Sequence, residues 1–475
     1  RAADAARNNP LAVAAQSAEV ESVVGTGLRL NAAIDRDALQ LSDDEATRWE
    51  KQAEQIWRLF ATSQHSDLRQ TLTFADQQAL AVRSVFERGD HFVAEVRVPD
   101  VRPGWPFRFC LQHIEADRVC NPRYQQDTDT LVAGVQKAPH GAPIRYHVAR
   151  YHPLAMRAYT QGQRWTTLRA FGAETGRRLT HHLYHVLREG QTRGVPALAP
   201  VLEVLKQMDR YTDAEVDRAA TSALFMAFVT TTEPDALAAL AQDQAVEDRA
   251  GFYQQFKQSR YALDHSSVAS LYPGDRVDFA DPKAPNPQAA DFLNTFARLT
   301  GAALNIPQEV LLRHFSSSYS AARGALLMAW QHFHQRRQWL ARYFCQPIYE
   351  AVITDAVMQG RLASPGFATD PFLRRAWLGA EWIGDAPPVI DEQKAVDAAE
   401  RRIQLGISTR RRECAALTGQ DYDHVRRQRE REQRTGAPDA EPGLDEPGVP
   451  PRQAAARVPV PDADALNAAD QEPTL

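Results

Sequence analysis

Cysteine is scarce in this chain of 475 residues: there are four, Cys110, Cys120, Cys345 and Cys414, and none stands in a C-x-x-C pair. That spacing excludes a zinc knuckle and a disulfide framework and makes reduced thiols the expectation. Lysine is scarce too, six of 55 basic residues, the rest being arginine. No window approaches the roughly 20 apolar residues that cross a bilayer. The longest apolar run, Ala219–Val229, is broken by Thr221 and Ser222. There is no G-x-x-x-x-G-K-[ST] to cradle a phosphate and no G-x-S-x-G to present a serine nucleophile. Internal repeats are missing as well. The chain opens on Arg1 rather than Met, which reads as a trimmed start.

What is present is a globular composition, 44% hydrophobic and 24% charged, with length enough for about three domains. The net charge of −5 is unevenly placed. Residues 431–475 hold four Arg and nine acidic residues, so residues 1–430 hold 51 of each sign. A neutral body does not grip nucleic acid by bulk charge.

Periodicity divides the chain. Residues 1–30 open with an amphipathic helix starting near Asn9-Pro10 and broken by Gly25 and Gly27. Ser42 and Glu45 form a capping box ahead of a helix whose stripe is Trp49, Ile56, Trp57 and Phe60. A third helix spans about Phe74–Glu87. Residues 91–150 alternate like strands, in HFVAEVRV, FRFCLQHI, TLVAGVQ and PIRYHVAR, and form a small β-rich unit. From 197 helical spacing runs for more than 30 residues, through FVTT, and 234–260 reads as polar helix. A segment with four Pro, SSVASLYPGDRVDFADPKAPNPQ, makes a hairpin or loop excursion before helix resumes at AADFLNTFARLTGAALN. After a break at Asn305-Ile306-Pro307, a long helix covers about Ala321–Met358, with a kink expected at Pro347. Three short helices follow over 391–432, punctuated by Gly406 and Gly419, with Ser408 and Asp421 as N-cap candidates. Residues 435–475 contain eight Pro and read as a disordered acidic tail.

Few residues suggest chemistry. Gly25-Thr26-Gly27 is only a G-x-G and reads as a turn. His181 and His185 of HHLYH are i,i+4 and would share a helix face, a spacing suited to zinc. The metalloprotease pattern, however, needs Glu where His182 stands, and a third ligand is lacking. Asp209, Asp213, Glu215 and Asp217 spread over several faces of their helix. The most basic stretch this reading singles out is 400–434, with ten Arg against six acidic residues in a helix–Gly–helix outline. In its last helix Arg alternates with acids, the pattern of a salt-bridged solvent face. A DNA-binding or DNA-processing protein built on that segment or on the histidines is the competing reading.

Seven stretches in order resemble the tailed-phage portal proteins of the lambda type, over about residues 1–430. They are RNNPLAVAA with VVGTGLRL, RSVFERGDHF, LQHIEADRV, GQTRGVPALAPVLEVLKQMDRYTDAEVDRAA, LYPGDRVDFADPKAPNPQ, IPQEVLLRHFSSSYSAARGALLMAWQHFHQRR and LGISTRRRECAALTGQD. The family's segment ahead of RNNP is absent. APPVIDEQKAVDAA stands where the family shows an acidic residue–Pro–x–Lys-Glu pattern.

The resemblance implies a mainly α fold with a smaller β-rich part, no enzyme activity and no cofactor or metal. It implies a ring of about twelve subunits at one capsid vertex, closed by a head-to-tail contact. Double-stranded DNA passes through the ring, without sequence specificity, during packaging and ejection. The partners it implies are terminase, head-tail adaptor proteins and the major capsid or scaffold protein, with no membrane. By position, 1–196 is wing-like, 197–304 carries stem helices around a clip at about 233–287, 305–358 holds a tunnel loop and kinked helix, and 359–432 holds the remaining wing and crown helices. Arg313, His314, Ser316, Ser317, Ser318 and Arg323 are the candidate DNA-facing loop. Tyr272, Pro273, Gly274, Asp275, Arg276 and Asp278 are the candidate clip surface for terminase and tail. The expected location is the portal vertex of the virion, after assembly in the host cytoplasm.

Overall fold

Asn9 and Pro10 divide the first helical stretch in two. Helix α1 (Ala2–Asn8) stops at Asn9, whose side chain accepts from Ala12 N at 3.1 Å. Pro10 then opens α2 (Pro10–Val23) where a missing N–H leaves no bond unmade. The computed structural model describes residues 1–97, 105–224, 228–231, 275–278, 288–315, 318–387 and 391–434. Strand β1 (Arg29–Ala32) follows the two glycines, both at positive φ. The Ser42–Glu45 capping box holds on α3 (Asp43–Ala61), and Thr73 with Asp76 forms a second one on α4 (Phe74–Arg88).

Seven strands build the β-rich part. They are β2 (Asp90–Arg97), β3 (Phe109–Ile114), β4 (Leu131–Val132), β5 (Val135–Lys137), β6 (Pro143–Ala149), β7 (Trp165–Arg169) and β8 (Thr180–Tyr184). β2 is the middle of an antiparallel sheet in the order β3-β2-β8, and β4-β5-β6-β7 form an antiparallel meander. The first sheet separates two cores. Val93, Cys110, Leu111 and Leu183 join the larger, helical one, while Phe92, Ala94 and Ile114 join the smaller one with Val135, Tyr146 and Val148. Successive strand residues point to opposite faces, and here both faces are buried. In the larger core Trp57 meets Phe74, Tyr349 and Trp382 edge-on at 4.9, 5.8 and 5.5 Å.

The segment HHLYH is therefore strand, contrary to the helix its spacing suggests. Pairing with β2 sets His181 opposite Val93 and His182 opposite Phe92. A strand buried on both sides loses the polar–apolar alternation that would have marked it.

The long helical run also stops early. α5 (Leu202–Leu224) precedes a strand, β9 (Phe228–Thr231), which pairs antiparallel with β10 (Asp275–Asp278). β9 reads FVTT, and its branched side chains favour the pleated backbone. The polar helix expected over 234–260 lies outside the described residues, as does the tail from 435. α6 (Ala289–Leu304) ends at Asn305 in the left-handed conformation. α7 (Tyr319–Leu340) continues through one π turn, Ala341–Cys345, into α8 (Gln346–Met358). The irregularity falls just before Pro347, which has no N–H to give. β11 (Ala380–Ile383) pairs with β1. α9 (Glu392–Gln404) and α10 (Arg410–Thr418) follow, and the N-cap of α10 is Thr409, accepting from Arg412 N at 3.3 Å, instead of Ser408. α11 (Tyr422–Arg434) follows, and from Asp423 it belongs to a unit separate from Arg1–Tyr422. Mainly helical with a smaller antiparallel part, the fold has the expected class.

Asp90 is the polar centre of the two-core arrangement. It accepts from His182 Nε2, Arg193 Nε and Gly194 N, each at 2.7 Å. Arg193 also donates to the carbonyls of Ala116, Val119 and Ala133 and lies 5.1 Å over the Phe92 ring. Gly194 has to be glycine, because a Cβ there would meet the Gly89 carbonyl. Burial pushes the Asp90 carboxyl up, but the His182 hydrogen bond and Arg193 outweigh it and hold it below its ordinary value. On the other face of β2, His91 Nε2 and His113 Nδ1 lie 2.9 Å apart, and His113 Nε2 reaches Gln77 Oε1 at 3.0 Å.

Arg193→Met is expected to cost about 3–5 kcal/mol in urea unfolding, since it strands a buried carboxylate and three carbonyls. Burial holds His91 well below its ordinary value, His113 at about 4 and His185 at about 3. These groups bind protons in the unfolded chain first. Their neutral-state stability is complete above about pH 6.5 and is lost as pH falls toward 4, by roughly 3 kcal/mol for His113. His113→Gln is expected to flatten stability between pH 7 and 5, read by urea titration at each pH.

Candidate channel and docking surfaces

Helices α5 and α6 run to and from the β9–β10 pair and touch through Tyr211 and Phe292, ring centroids 4.4 Å apart. Val216, Phe292 and Leu299 on them are 62, 44 and 55% exposed, which is unusual for helices of such length. Of the candidate clip residues, Asp275, Arg276 and Asp278 form β10, opposite Thr231, Thr230 and Phe228. Tyr272, Pro273 and Gly274 lie outside the described residues.

The described part of the segment between α6 and α7 is held at both ends and at Arg313. Ile306 N donates back to Gly301 O at 2.9 Å, and Pro307 starts a short helix, Gln308–Leu311. Arg313, at φ 51°, reaches across to Glu21 of α2 with 2.9 and 3.1 Å contacts to the two carboxylate oxygens. His314 is exposed and its N–H donates to Glu309 O. Ser318 is exposed, but its hydroxyl is engaged. It N-caps α7, accepting from Ala321 N at 3.4 Å. Ser316 and Ser317 lie outside the described residues. Arg323 lines a cavity of about 570 Å³ together with Leu326, Trp330, Phe333, Lys394 of α9 and its N-cap Asp391.

The motifs that suggested chemistry are occupied by the chain itself. In the Gly25-Thr26-Gly27 turn, Thr26 N and Oγ1 donate to the two Asp385 oxygens at 2.7 and 2.8 Å, and Arg29 pairs with the same carboxylate. A turn that could have cradled an anion thus holds a carboxylate of its own chain. His181 Nε2 lies 3.1 Å from Glu95, and His182 is bonded to Asp90 and stacked between Phe92 and Tyr184. His185 lies past the strand end against Trp339, at 4.2 Å. The three imidazoles do not converge, so the zinc spacing was an accident of the helix assumption. Glu115, Asp117 and His152 do bring three ligand atoms within 4.8 Å of one another. Arg88 sits among them, paired with both carboxylates.

Several arginines of 400–434 are likewise committed. Arg402 forms a fork on Glu413, 2.9 and 2.6 Å, and those bonds hold the Glu413 carboxyl down at about 2. Arg411 contacts Asn31 and pairs with Asp421. Within α11, Arg426 pairs with Glu430. Asp209 accepts from Asn9 and Glu215 pairs with Arg218, so two of the α5 acids serve local contacts.

The reading from sequence missed Arg337. Its buried guanidinium donates to Val23 O, Ser22 O and Asp385 O at 3.1, 2.9 and 2.8 Å and lies over the Trp330 ring. It closes the C-terminus of α2, where carbonyls lack helical partners. The only trace in the sequence was an arginine on the apolar side of a long helix.

Asp385→Ala is expected to cost about 1–3 kcal/mol, because it releases the Thr26 amide and hydroxyl together. Arg313→Ala, whose ion pair is exposed, should stay within about 0.5 kcal/mol of the parent in the same thermal melts.

A sequence model of the phage portal protein, lambda family, matches residues 1–337. Portal protein B of Escherichia phage lambda is 26% identical over 450 residues, 91% of this chain and 82% of that protein. The portal protein of Escherichia phage N15 is 26% identical over 453 residues, 91% of this chain and 83% of that protein. Among solved structures, chains from the virion of a native gene transfer agent particle and from the neck of an empty one align at TM-scores of 0.42 and 0.44. Each is 14% identical over 86% of this chain and covers 89 and 90% of the other. With the family model covering most of the described fold, this chain belongs to the lambda family of phage portal proteins, the head–tail connectors.

Proposed function

We propose that the chain is one subunit of a closed ring of about twelve, set at the portal vertex of the capsid, through which double-stranded DNA enters and leaves. The observation that carries this reading is the helix pair α5/α6 with Val216, Phe292 and Leu299 left uncovered. A thin pair of helices cannot bury that stripe within one subunit, and a neighbour in a ring can. Under this reading 1–196 and part of 359–432 form the wing, with crown helices over 390–432. Residues 197–304 form the stem around the clip, the Arg313–Arg323 segment faces the channel, and β10 belongs to the clip that meets terminase and later the head-tail adaptors.

The charge distribution supports passage without capture. Each fixed phosphate contact deepens a binding well, and a ring multiplies every one of them. A body with 51 charges of each sign avoids that trap. The family's work is structural, so the energy of packaging falls to a separate ATPase. Arg313 offers the segment one exposed cation already balanced by Glu21.

Mass photometry of the purified chain should give a species near 640 kDa, roughly twelve times its 53.1 kDa. Negative-stain images should show a hole about the width of a duplex. Val216→Arg with Leu299→Glu should move the population toward monomer. A single monomeric species from the unmutated chain at micromolar concentration would count against ring closure.

A further inference from the structure

Residues 141–180 carry seven Arg and one acidic residue, Glu174, in a body whose charges balance as a whole. That excess is larger than the one over 400–434, and the fold concentrates part of it. β6 and β7 pair so that Arg145 stands directly opposite Arg169. Both are exposed, and among the described residues neither guanidinium forms an ion pair. Like charges facing each other across strands destabilise a sheet. The rest of that face does not relieve them. Gln136 of β5 is the other neighbour of Arg145, and His147 and Thr167 follow as the next pair along. The connection between the two strands holds Leu154, Met156 and Tyr159, exposed by 80, 75 and 73%.

We propose that this face and its connection form a docking surface for an extended, carboxylate-rich segment of another protein. Carboxylates would bridge Arg145 and Arg169, a geometry guanidinium forks suit, and apolar side chains would cover Leu154, Met156 and Tyr159. Charge complementarity selects an acidic partner, and the three apolar side chains select a protein over nucleic acid. Leucine, methionine and tyrosine side chains add nothing against a phosphate backbone, which is met by cations and hydrogen-bond donors. A bilayer could take the apolar connection alone. The Arg pair, however, lies on the sheet face four residues along β6 from its loop end, about 13 Å away. A chain lying along the strand pair reaches both.

The test uses the full chain and a fluorescent peptide of Glu and Leu of roughly twelve residues, long enough to span the strand pair and its connection. Arg145→Gln/Arg169→Gln and Leu154→Ser/Met156→Ser should each weaken peptide binding roughly tenfold or more. The Tm of the arginine double variant should be unchanged or higher, because the facing charges are gone. Peptide affinity unchanged in both variants, or no peptide binding by the parent at millimolar concentration, overturns the proposal. A random-sequence duplex or phosphatidylglycerol vesicles that bind more tightly than the peptide, and lose binding in the same variants, would assign the face to nucleic acid or lipid and overturn it as well. Particle mass is read on the same samples. A fall in mass of the arginine variant would make the face a contact between copies, which also overturns the proposal.

Discussion

The contact between Asp90 and Arg193 is the one on which the two-core architecture depends. Asp90 opens β2, the strand shared by both cores, and Arg193 lies just before the chain turns into α5. Through one guanidinium the turn at 116–119, the β4–β5 turn and the segment leading to α5 are joined to a buried carboxylate. A buried ion pair of this kind is held in place by what its loss would leave, an uncompensated charge in a low-dielectric interior. Its partners His182 and Gly194 bond the other carboxylate oxygen, so both oxygens of Asp90 are satisfied and the cluster tolerates burial.

The same economy recurs wherever the chain looked chemically active. The G-x-G turn holds Asp385, the three histidines are spent on Glu95, Asp90 and Trp339, and the Arg-rich helices close on Glu413 and Asp421. Groups satisfied by their own chain have little left for substrate or metal.

Helices were legible where their ends carry chemistry. Ser42 with Glu45, Asn9 before Pro10, and the glycines at 406 and 419 marked boundaries that the backbone confirms, because capping is a local interaction. Strands buried on both faces were not. Thr180–Tyr184 reads as a helix until β2 is beside it, and FVTT extends a helical pattern until β10 supplies its hydrogen bonds. The candidate loop lies between α6 and α7, and Ser318, which could be a plain loop hydroxyl or a cap, is the N-cap of α7. A serine before a helix can do either, and only the coordinates of Ala321 N decide.

By itself, then, the sequence determined what depends on neighbours along the chain and on totals. These include the helix starts and stops, the neutral body with its acidic end, the absence of a phosphate cradle, and the ordered stretches that mark the family. Tertiary structure alone decided which distant groups meet. It set Arg337 on the carbonyls of Ser22 and Val23, Asp385 in the turn at Thr26, and Arg145 across from Arg169. The physical reason is range. Capping and periodicity act within a few residues, whereas a buried charge finds its partner only after the chain has closed around it.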